Sequence, residues 1–337
     1  MEDLNFLRWK RIKESEMPYT YIKEIIRENY GYEVRENSLD EFIENVKTYN
    51  AIDEGFLLSI IEEDVYKKLK IFFMKDLEKY DEHPIKETLS NILLKDYFKN
   101  KNRITIDGNE YYEGPLDNCY RVVKYKEYNN LFEIKLACVK NCIEVVTEAN
   151  GIQNELSIDV YDSVKYVIDI ENKLVFMFYN DIIDGNFKNN KEVTNRKRSF
   201  CQLFENVNSR NLINYELVRN LQDYFNDYIK EIEDGNIKKS ISIIESIHEL
   251  GEADAIKSTA SSYRHSKKRI DAIKFAIDNE GHMISTLECI VNSNSIRIRH
   301  IGEIFLQDCT FQPEVMESVC KEFFRGYNPA KTIRECV

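Results

Sequence analysis

From Tyr19 to about Lys99 the apolar positions recur every three or four residues, the period of helices with one buried side. Ser38 followed by Glu41 is a capping-box signal for a helix over residues 39–49, with Leu39, Phe42, Ile43 and Val46 on one face. Asp53 is placed to cap the next helix, whose apolar side is Phe56, Leu57, Ile60 and Ile61. The same spacing continues over residues 65–79 through Leu69, Phe72, Phe73 and Leu77, and His83-Pro84 interrupts it before a further helix over 85–98. This predicts a helical domain over residues 1–100.

Near Arg103 the period shortens towards two. Ile104-Thr105-Ile106 precedes the turn pair Asp107-Gly108, and segments 120–125 and 131–139 read as strands joined at Asn129-Asn130. The stretch from Asn154 to Tyr179 reads as three successive strands ending in a tight hairpin at Glu171-Asn172-Lys173, where Asn favours chain reversal. Its last six residues, Leu174 to Tyr179, are apolar on both faces, as in a strand buried centrally in a sheet. A β-rich domain over 101–183 follows, then a polar linker over 184–211. Next comes a long helix over 212–234, in which Val218, Leu221, Phe225, Tyr228 and Ile232 form a seam and Gly235 a stop. The remainder predicts strands at 240–247, 283–291, 295–300 and 303–307 and helices at 267–280 and 313–324. The expected class is α+β: helical, then β-rich, then a mixed carboxy-terminal domain over 212–337 behind the long helix.

Composition narrows the partners. A chain of 337 residues suits two or three cores. The net charge of −12 sets the overall field against polyanions, so any contact with nucleic acid needs a local basic patch. Neither a leader pattern nor an apolar run of membrane-spanning length is visible, and the eight scattered cysteines lack metal-ligand spacing. These features predict a cytoplasmic protein with reduced thiols and no membrane association. The excess of Ile, Lys, Asn and Tyr over Ala resembles the bias of AT-rich bacterial genomes.

Two basic clusters stand out. Arg264, Lys267, Lys268 and Arg269 place cations at the start of the helix over 267–280, where the macrodipole disfavours them unless an anion is bound. Arg297 and Arg299 alternate with Ile296 and Ile298 and so share one face of a strand. Arg196, Lys197 and Arg198 form the second cluster, inside the polar linker. Metal-dependent phosphodiester hydrolysis instead needs an Asp and a Glu to hold Mg²⁺, with a Lys beside the attacking water. Asp117 with Glu133 and Lys135 fits that pattern, as does Asp159 with Glu171 and Lys173.

No glycine-rich phosphate loop, dinucleotide fingerprint or nucleophile elbow is present. The leading expectation is a non-enzymatic intracellular subunit, without a cofactor, that binds nucleic acid or another phosphate-bearing partner through the carboxy-terminal basic surface. A Mg²⁺-dependent nuclease is one alternative. The other is a protein-interaction scaffold of a bacterial multi-protein system such as antiviral defence, with residues 212–234 as a partner or homodimer contact.

Overall fold

The computed structural model describes residues 3–74, 103–106, 109–112, 114–128, 131–148, 151–169, 174–184, 187–188, 191–202, 213–216, 241–245, 286–291, 294–299, 303–306, 310–311 and 315–316. In chain order its elements are α1 (Leu4–Glu14), α2 (Tyr19–Tyr30), α3 (Leu39–Asn45), α4 (Glu54–Ile61), β1 (Lys68–Met74), β2 (Arg103–Ile106), β3 (Asn109–Tyr112), β4 (Arg121–Tyr128), β5 (Leu131–Thr147), β6 (Gln153–Asp169), β7 (Leu174–Tyr179), β8 (Ile183–Asp184), β9 (Phe187–Lys188), α5 (Lys191–Gln202), β10 (Ile213–Glu216), β11 (Ile241–Glu245), β12 (Thr286–Val291), β13 (Asn294–Arg299) and β14 (Ile304–Leu306). Helices and antiparallel sheet thus occur in one chain. Its contacts divide it into two units, residues 1–66 with 74–214 and residues 67–73 with 215–337.

In the first unit the strands lie in the order β7-β6-β5-β4-β3-β2, with every pairing antiparallel. β5 and β6 each run for 17 residues and pair without a register shift from Leu131 opposite Asp169 to Thr147 opposite Gln153. The expectation of three strands between Asn154 and Tyr179 is therefore corrected to two. Nothing between Asn154 and Asp169 removes a ladder donor or forces a turn, and β5 supplies partners along the whole length. Every residue of β7 is buried, as its two-sided apolarity predicts.

Facing residues share a side of the sheet, and successive residues alternate. One side of β5 and β6 carries Ala137 and Tyr161, which form a core with Leu7 of α1 and Leu116, flanked by Leu4, Val123 and Val139. The other side carries Tyr166, whose ring stacks on Phe200 of α5 with centroids 4.1 Å apart. The residues read as a polar linker thus include a helix with an inward aromatic, a feature that mean polarity conceals.

The caps form as the sequence predicts: Ser38 Oγ accepts from Glu41 N at 3.2 Å, and Asp53 Oδ1 accepts from Phe56 N at 2.9 Å. Glu41 reaches back to the amide of Asn37 rather than that of Ser38. α1 lies outside the predicted helices. Its Trp9 anchors it, buried against Phe42 and donating Nε1–H to Glu54 Oε1 at 2.8 Å.

In the second unit β11, β12, β13, β14 and β1 are consecutive antiparallel neighbours. The strands expected near 240–247, 283–291, 295–300 and 303–307 all form, with ends displaced by up to three residues. β1 corrects the helix expected over 65–79. Lys68, Leu69, Lys70, Ile71 and Phe72 are all buried, so the segment is enclosed on both sides and helical spacing carries no information there. β10 likewise replaces the start of the helix expected over 212–234, whose remaining residues lie outside the described set, as do the helices expected at 85–98 and 267–280. Among the described residues no helix is long and apolar enough to cross a membrane.

Candidate functional site

Three arrangements in the first unit carry unusual chemistry. The first is a row of lysines. In register, Lys124 of β4 faces Lys135 of β5, which faces Lys165 of β6, so three ammonium groups lie side by side across the sheet. Such a row is stable only if anions meet it. They come from the carboxyl end of α4: Glu62 Oε2 accepts from Lys135 Nζ at 2.6 Å and from the Tyr161 hydroxyl at 3.1 Å, while Glu62 Oε1 accepts from Arg8 Nε at 2.6 Å. Lys124 Nζ sits 2.6 Å from Glu63 Oε1 and 3.0 Å from Glu133 Oε1, and Lys165 Nζ donates to the Glu63 carbonyl at 2.5 Å.

Burial separates these carboxyls. It raises the pKa of Glu62, but Arg8 and Lys135 outweigh it and hold the group below the usual carboxylate range. Partial burial also raises Glu63, but Lys124 and Lys165 pull it down. For Glu133, burial and then the neighbouring Glu63 charge push the pKa up, so the two carboxyls resist ionising together. Asp64 is also raised, chiefly by burial. Glu62 and Glu133 are 1% and 2% exposed, so these two carboxyls are closed to bulk solvent, while Glu63 is partly exposed.

The second arrangement lies on the α5 side. Arg196 Nη2 donates to Asp162 Oδ1 at 2.6 Å and Arg196 Nε to Asp162 Oδ2 at 3.0 Å, a bidentate pair in which both residues are fully buried. The Tyr120 hydroxyl donates to the same carboxylate, and burial together with that charge raises the Tyr120 pKa. Although burial disfavours it, Asp162 keeps the Arg196 guanidinium firmly charged.

The third arrangement is the outer half of the β5–β6 pair. Beyond Val139 and Val160 the two strands continue as a ribbon in which residues 146–148 and 151–157 are exposed. One face carries Cys142, Glu144 and Val146 opposite Ile158, Leu156 and Asn154. The other carries Ile143 and Val145 opposite Ser157 and Glu155. Of five exposed large apolar side chains among the described residues, four (Ile143, Val146, Ile152 and Leu156) belong to this ribbon, and Phe6 is the fifth. Residues 140–160 hold Glu144, Glu148, Glu155 and Asp159 against one base, Lys140, whose Nζ lies 4.7 Å from the Tyr120 ring centroid.

The sequence-predicted residues are distributed among these places. Glu133 and Lys135 share one side of β5, as their spacing requires, and both belong to the ion cluster. Asp117 is exposed, accepting from the Cys119 amide at 2.9 Å and from Arg121, and no hydrogen bond or ion pair joins it to Glu133 or Lys135. Asp159 lies on the ribbon beside Asn141, while Glu171 and Lys173 fall outside the described residues. Among the described residues no group of three or more His, Cys, Asp or Glu is arranged to hold a metal ion.

Arg196 is committed to Asp162 in the interior, whereas Arg198 is exposed. Arg297 and Arg299 occupy β13, with Arg297 in register with Glu288 on one neighbour and Phe305 on the other. Arg264, Lys267, Lys268 and Arg269 fall outside the described residues.

Sequence reasoning missed the cluster around Glu62, although two signals were present. Glu62-Glu63-Asp64 puts three acids at the carboxyl end of an apolar helix, against the macrodipole. Lys124 sits between Val123 and Tyr125, and Lys135 between Ile134 and Leu136, cations with apolar chain neighbours. Each conflict disappears once the other is placed against it. Compared with known proteins, the chain matches no family model and no curated protein sequence.

Proposed function

We propose that this protein is an interaction scaffold that docks a partner protein through the outer β5–β6 ribbon. One observation carries the reading: the ribbon gathers four of the five exposed large apolar side chains among the described residues. Solvent-facing aliphatic groups on a two-stranded ribbon contribute little to its own fold, whereas a partner that covers them gains the hydrophobic term. The charge pattern chooses the partner's chemistry. Four acids and one base leave the segment at −3, so a second copy meets like charge and a cationic segment meets complementary charge. The occupant is a Lys- or Arg-bearing stretch of another protein with aliphatic side chains of its own. The ion cluster beneath the helices then serves to fix the sheet from which the ribbon projects.

Placing a photo-crosslinking residue at Leu156 in the full chain, in cells, tests this. The expected result is a discrete adduct whose partner peptide is basic, lost when Glu144 and Glu155 are both changed to Lys and the circular dichroism spectrum is unchanged. Adducts to a second copy of this chain, or adducts indifferent to the charge reversal, overturn the reading.

A further inference from the structure

Arg11, on the inward side of α1, is 6% exposed. Its Nη1 donates to the Asp181 carbonyl at 3.3 Å and lies 3.7 Å from Glu14 Oε2, a carboxylate that is itself half exposed. Its Nε and Nη2, on the opposite edge of the guanidinium, are buried and have no hydrogen-bond partner among the described residues. These two nitrogens form the lateral fork of an arginine, whose parallel N–H groups match the two oxygens of a carboxylate or phosphate. Arg196 shows the match in the same unit, placing its Nε and Nη2 on the two oxygens of Asp162.

The surrounding charge points the same way. Burial lowers the Arg11 pKa, and the charges it feels are, in falling order, Asp162, Arg196, Glu14 and Tyr66. Asp162 is already held by Arg196 and the Tyr120 hydroxyl, so the carboxylate left to Arg11 is the half-exposed Glu14, which lies on its Nη1 side and not on the fork. A buried guanidinium edge without acceptors is costly, since each N–H has left water. The cost falls if an oxyanion sits on that edge and accepts from both N–H groups.

We infer that the Arg11 fork is a binding site for a small oxyanion, a phosphate or carboxylate group held in a bidentate pair. The site is independent of the ribbon, and its test does not involve a partner protein. The probes are inorganic phosphate and acetate, each added to the purified full chain against chloride at matched ionic strength. Binding is followed by calorimetric titration and by the midpoint of thermal unfolding. One equivalent of phosphate or acetate is expected to bind, and saturation to raise the midpoint by roughly 2–4 °C through linkage. Whichever probe binds more tightly identifies the group that the site takes.

Arg11→Lys keeps the charge but removes the fork, and at least a tenfold loss of affinity is expected. Arg11→Met is expected to abolish binding, and if it does not fold, the lysine variant carries the test. No saturable binding by the wild type overturns the proposal, as does an equal midpoint rise in wild type and Arg11→Lys, the mark of a general salt effect on protein surfaces.

Discussion

Glu62 is the residue on which the first unit's polar interior turns. It accepts from Arg8, Lys135 and Tyr161 while 1% exposed, so removing its carboxylate leaves buried Lys135 and partly buried Arg8 without that partner. Glu62→Ala is expected to destabilise the protein by about 3–5 kcal/mol, the usual cost of breaking a buried ion pair from one side. Changing Glu62 to Leu and Lys135 to Met together is expected to recover much of that loss, because the pair leaves as a neutral unit. Urea midpoints of the single and double variants measure both; a double variant as unstable as the sum of its singles rejects the account. The same residue shows how far sequence carries at this scale. Glu62 follows an amphipathic helix and is legible as a helix end, but its three partners lie 54, 73 and 99 positions away.

At the scale of elements, β5 and β6 do two jobs along one ladder. From Leu131 to Cys138 β5 is buried without interruption, and beyond Val139 most of its residues are exposed. Because the inner half is held by β4, β7, α1 and α5, the outer half should be dispensable for folding. Replacing residues 143–157 with Asn-Gly keeps Cys142 opposite Ile158 and closes the hairpin with a favoured two-residue turn. The expected change in unfolding midpoint is small, corresponding to no more than about 1 kcal/mol, in line with changes at exposed positions. A collapse of the cooperative transition in the shortened chain would show that the ribbon belongs to the core. The alternation of apolar and polar residues announces strands here, but it does not say that two predicted strands are one. Continuity was decided by the length of the neighbour, since β5 offers pairing partners all the way to Gln153.

At the scale of the whole molecule, the buried carboxyls tie stability to pH in two opposed ways. Glu62 and Glu63 titrate below their unfolded values, so the stability they add is present above the unfolded carboxylate range and is lost as pH falls from about 4.3. Glu133 titrates above its unfolded value, so its protonated form favours folding at low pH and that contribution fades as pH rises through the shifted value. Glu133→Gln mimics the protonated form, and its urea midpoint relative to wild type is expected to be higher at pH 8 than at pH 4. The opposite ordering would mean that Glu133 works as an ion-pair carboxylate with Lys124.

What the sequence by itself determined were features that depend on near neighbours in the chain: the caps at Ser38 and Asp53, the apolar two-faced strand Leu174–Tyr179, and the strands of the carboxy-terminal unit. A cap or an alternation is set by residues within a few positions, where the backbone fixes the geometry. Only the tertiary structure decided that Lys68–Met74 is a strand, that Lys124, Lys135 and Lys165 form one row, that Arg196 faces Asp162, and that the apolar residues at the ribbon's end remain in solvent. Each of these depends on what lies across from a residue. Burial on both sides erases periodicity, and the anion that makes a buried lysine tolerable can come from any acid in the chain.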